Sequence, residues 1–61
     1  MLSDEEGVKA IMFLQMLAGV DESKEVALKN WQSMPKQDKE HTEKVYESFS
    51  VLVEEWNAKQ N

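Results

Sequence analysis

The stretch "AIMFLQMLAG", residues 10–19, decides how this chain can fold. Eight of its ten residues are apolar, and only Gln15 and Gly19 stand outside that set. A bilayer span needs roughly 20 such residues, so this run is too short to cross a membrane. The residues before it, "MLSDEEG", are acidic where a secretory signal has a basic segment. The run therefore reads as a buried helix. Wound at 100° per residue, the apolar residues from Val8 to Ala18 point in every direction, with Lys9 and Gln15 the only polar interruptions. A helix of that kind needs cover on all sides.

Working outward, the helix has clear ends. "SDEE" is a capping box, with Ser3 as N-cap and Glu6 three positions on. Asp4, Glu5 and Glu6 suit the positive end of the helix dipole. Gly19 is the residue type that ends helices in the left-handed conformation. The first helix is expected over 4–18. Gly7 is out of place inside it, at a cost of about 1 kcal/mol relative to alanine.

A second helix is expected over 22–33, capped by Asp21 or Ser23. Ala27, Leu28, Trp31 and Met34 share one arc of it, and Glu25 and Lys29 form a favourable i,i+4 pair. Pro35 separates it from a third helix, expected over 35–58, because proline fixes φ and needs no donor in a first turn. There Thr42, Val45, Phe49, Leu52 and Trp56 follow 3,4 spacing, while Glu40, Lys44, Glu47, Glu54 and Glu55 occupy the opposite face. The closing "AKQN" is expected to fray. The fold class that follows is all-α, a small three-helix bundle forming one domain over 1–61.

Length and composition narrow the function. A chain of 61 residues buries only about 60% of its unfolded surface, so a domain this small is marginal without disulfides, metals or oligomerisation. There is no cysteine and one histidine, His41, which excludes a disulfide framework and a closed zinc site within one chain. Seven lysines against twelve acids give a charge of −5, with no arginine. Direct nucleic-acid binding draws on cations and bidentate arginine contacts, so it is not expected, and neither is an acidic membrane surface. A basic protein partner suits this charge, and a cytoplasmic location suits the lack of cysteine.

Candidate chemistry is sparse. Asp38 and His41 make an Asp-x-x-His spacing that resembles half of a di-iron ligand pair. It occurs once, so two copies would have to meet to form a metal site. Ser48 lies two helical turns from His41, about 10 Å along the axis, too far for a nucleophile–base pair. No glycine-rich phosphate loop is present. Neither an enzyme nor a cofactor is expected. "WQSMPKQDKE", residues 31–40, resembles over about ten residues a segment of the high-mobility-group box: a Trp closing one helix, a Ser/Pro turn and a charged start to the next. The resemblance would imply DNA binding, but the basic arm and arginines of that family are missing here.

What remains is the surplus face of the first helix. Two partly apolar neighbours cannot wrap a helix that is apolar all round, so the excess should cover a second copy or another protein. The expected function is a small acidic non-catalytic interaction protein, a homodimer sharing the first helix. Ile11, Phe13, Leu14 and Leu17 are its candidate interface residues, with Trp56 near the end of the longest helix. An acidic mimic of nucleic acid and a small metal-binding bundle are the alternatives.

Overall fold

The computed structural model describes residues 2–60. It contains three helices in chain order: α1 (Asp4–Leu17), α2 (Lys24–Ser33) and α3 (Lys36–Lys59). α1 is the centre of the assembly. It packs against both other helices, which touch one another far less. The all-α bundle expected from periodicity is the fold observed.

Local chemistry sets the element ends. The capping box forms: the Glu6 amide donates to Ser3 Oγ at 3.2 Å, and the Ser3 amide donates to Glu6 Oε1 at 3.1 Å. Those contacts with Ser3 hold the Glu6 carboxyl below its ordinary range. α1 closes one residue earlier than expected, with Ala18 as C-cap and Gly19 at φ 75°. The Val20 amide donates to Gln15 O at 2.8 Å and the Gly19 amide to Met16 O at 3.1 Å, which satisfies two otherwise orphaned carbonyls. Of the two candidate caps for α2, Ser23 does the capping, accepting from the Val26 amide at 3.2 Å, so α2 begins at Lys24 rather than 22. Pro35 stands just outside α3 as its N-cap, so the helix begins one position later than expected. The helix runs to Lys59, one residue beyond the expected end, with Gln60 as C-cap; Asn61 lies outside the described residues.

One feature of α3 has no counterpart in the sequence pattern. Phe49 takes non-helical angles (φ −125°, ψ 26°) and bends the helix. No proline or glycine stands there; Ser48 and Ser50, residues of modest helix propensity, flank it. Beyond the bend, Val53 is fully buried. Three polar contacts tie the second half of α3 together or to α1. Lys9 Nζ donates to Glu54 Oε2 at 2.9 Å, Tyr46 Oη donates to Glu54 Oε1 at 2.5 Å from before the bend, and Asn57 Nδ2 donates to the Lys9 carbonyl at 3.2 Å.

The core sits at the N-terminal half of α1. Val8, Ile11, Ala27 and Trp31 form its cluster, with Leu2, Met12, Leu28 and Met34 packed around it. Trp31 is 1% exposed. Its Nε1 donates to Asp4 Oδ1 at 3.1 Å, and Lys39 Nζ lies 5.0 Å from its ring centroid. The indole lies directly over Gly7: a Cβ at that position would come within 2.3 Å of the ring. The glycine that local propensity disfavours is thus explained by a through-space contact with α2.

Candidate interaction face

The C-terminal half of α1 is built differently. The contact with α2 is made through Gly7, Val8 and Ile11, which meet Ala27 and Trp31. In the C-terminal half, α1 and the bend of α3 enclose a groove of about 280 Å³, lined by Phe13, Leu14, Leu17, Val45, Phe49 and Leu52. No polar atom contributes to its surface. Leu17 is 64% exposed, Leu52 52% and Phe49 49%. Three large apolar side chains that open to water, converging on one depression, differ from the scattered single exposures normal on a protein surface.

The five residues singled out from the sequence fall into three places. Leu14 and Leu17 line the groove, and Phe13 lines it from a largely buried position. Ile11 does not reach it. It faces α2 in the core cluster and is 6% exposed, so as an interface residue it is corrected to a core residue. Trp56 is half-buried on the other side of Phe13, packed edge-on against that ring at 6.5 Å and 72°. It lines a separate cavity with Met12 and Met16. An all-round apolar helix carries no directional signal, so periodicity could not separate Ile11 from Leu14. Val45, Phe49 and Leu52 belong to the apolar stripe that the 3,4 spacing of the third helix predicts. Phe49 stands at the bend, and it and Leu52 are both about half exposed.

The titratable groups near this face are structural. Hydrogen bonds from Tyr46 and then Lys9 lower the Glu54 carboxyl, and the bond to Glu54 pushes the Tyr46 phenol up to about 12. The same carboxylate raises Lys9. These groups fix how the bent half of α3 sits on α1. They do not line the groove. Asp38 and His41 are both exposed on the first turns of α3, and among the described residues no group of three or more His, Asp or Glu is placed to hold a metal ion. Among the described residues, no helix is long and apolar enough to cross a membrane.

In comparisons with known proteins, no family model, no curated sequence and no solved structure matches this chain. Any functional reading therefore rests on the geometry above.

Proposed function

We propose that this chain is a small acidic, non-catalytic interaction protein that works as a homodimer through the groove between α1 and the bend of α3. One observation carries the reading: Leu17, Phe49 and Leu52 are about half exposed or more around a depression with no polar lining. A second copy is the occupant favoured here. A two-fold interface pairs a surface with itself, and an uncharged groove spares an acidic chain the repulsion that its −5 charge would otherwise bring to self-association. The remaining acidic surface is then free for a basic protein partner, giving an adaptor or inhibitor role.

Sedimentation equilibrium at micromolar concentration tests this directly. The expected mass is about twice the 7.1 kDa of the chain, falling to the monomer in Leu17→Glu with helical content retained. A wild-type protein that stays a folded 7.1 kDa monomer at about 100 μM would overturn the dimer, since association weaker than that is worth only about 5 kcal/mol.

A further inference from the structure

Three side chains form a clasp across the bend of α3. Tyr46 stands before Phe49 and Glu54 after it, and their oxygens meet at 2.5 Å. A straight helix would hold positions eight residues apart about 12 Å from each other along its axis and about 80° around it. Helical side chains also lean toward the N-terminus, which would turn Tyr46 away from Glu54. The contact therefore belongs to the bent helix. Lys9 Nζ takes the other carboxylate oxygen at 2.9 Å and anchors the clasp to α1. The groove is built on the same bend. Val45 lines it from one arm, Leu52 from the other and Phe49 from the turn itself, so its width follows the bend angle. We propose that the clasp gates the groove: closed, it holds the shape that receives a second copy; released, it lets α3 straighten and that shape is lost.

The division of labour along α3 supports this reading. No proline or glycine fixes the bend. The second arm is docked on α1 by several contacts: Val53 is fully buried, Lys9 holds Glu54, and Asn57 Nδ2 donates to the Lys9 carbonyl at 3.2 Å. Among these polar contacts, the Tyr46 bond is the one that joins the first arm to the second. Its acceptor is an ionised carboxylate, which places it in the strong class of hydrogen bonds. Loss of that bond leaves the second arm docked and frees the angle between the arms. Coupling of this kind is reciprocal: whatever factor the closed clasp adds to dimer affinity, a bound second copy adds to closure of the clasp. The consequence for association rests on the homodimer reading given above, whereas the clasp, the bend and the groove belong to a single chain.

Tyr46→Phe removes the bond and keeps the ring, and two measurements decide. The NMR coupling between the amide and α protons of Phe49 is large at φ −125° and small at helical angles, so it reports the bend in monomer and dimer alike. Sedimentation equilibrium reports association. The expected result is a Phe49 coupling that falls to the helical range and a dimer dissociation constant raised about five-fold or more. Glu54→Gln, which keeps an acceptor, should fall between wild type and Tyr46→Phe; it carries the same two measurements if Tyr46→Phe fails to fold. Ser3→Ala is the control, since it weakens the domain at the far end of α1 and should leave both measurements at their wild-type values. A Phe49 coupling unchanged in Tyr46→Phe would overturn the proposal whether or not the chain dimerises. So would a straightened helix whose dimer constant moves by less than about two-fold. A wild-type monomer whose Phe49 coupling is lost in Tyr46→Phe ends the dimer reading alone and upholds the clasp as the holder of the groove.

Discussion

The two halves of α1 differ in composition and in fate. The first opens on Asp4, Glu5 and Glu6 and carries Lys9, whereas the second has Gln15 as its one polar residue. In the first half, α2 closes over Gly7, Val8 and Ile11, and Trp31 seals the contact. In the second half, Leu14 and Leu17 line the groove beside Phe49 of α3, and Leu17 keeps most of its surface in water. The more apolar half is thus the less covered one: a ten-residue α2 cannot shadow a fourteen-residue α1 while also turning into α3. An unbroken apolar run thus yields a core where a neighbour reaches it and a docking face where none does.

The contrast can be broken by substitution. The largest effect is expected at the seal. Trp31→Ala should cost about 3–5 kcal/mol, enough to unfold a domain this small, as read by loss of helical circular dichroism. Gly7→Ala comes next. Helix propensity alone would gain about 1 kcal/mol, but the new Cβ collides with the indole, and overpacking of this kind costs about 1–3 kcal/mol. A lower urea midpoint is expected; a higher one would show that the contact is not tight. Ser3→Ala removes the cap and should cost about 1 kcal/mol. At the open half, Leu17→Ser should change monomer stability by no more than about 0.5 kcal/mol while weakening association. A large loss of stability there would erase the distinction between the halves.

The smallest expected effect is on pH dependence, and it probes the clasp that aligns α3 with α1. Glu54 has a lowered folded pKa, so its contribution is present above the unfolded carboxylate value of 4.5 and is lost as pH falls through the folded value. Tyr46 has a raised one, so its contribution is full below 10 and is lost as pH rises toward about 12. Tyr46→Phe should lower the neutral plateau of a stability–pH profile toward its alkaline level and so flatten the alkaline limb. An alkaline limb unchanged in Tyr46→Phe would remove the phenol from that account.

How much of this was legible beforehand depends on how local the cause is. Ser3, Ser23 and Gly19 act within a few residues of themselves, and the sequence reading places all three at helix ends. Gly7 looked like a defect because its reason is twenty-four residues away in Trp31. The bend at Phe49 has no mark in the sequence, since no proline or glycine stands there, yet an exposed apolar residue of the groove sits at it. The surplus of apolar surface on α1 was legible from composition alone. Its position was not, because burial around an all-round apolar helix depends on where α2 ends. The same reasoning misplaced Ile11, and it put Trp56 at a surface that the structure divides into a groove and a cavity.

The central position of α1 also bears on synthesis. The helix that every other element leans on is the first to leave the ribosome, while forty residues separate Phe13 from Val53 in the half of α3 that covers it. At about 5–20 residues per second, its apolar surface would stay without its native cover for about 2–8 s. α2 and α3 make few contacts of their own, so no stable hairpin of theirs can form first and wait. Nascent chains of this protein would then depend on the acidic first turn, Asp4, Glu5 and Glu6, to keep that helix in solution until its cover arrives.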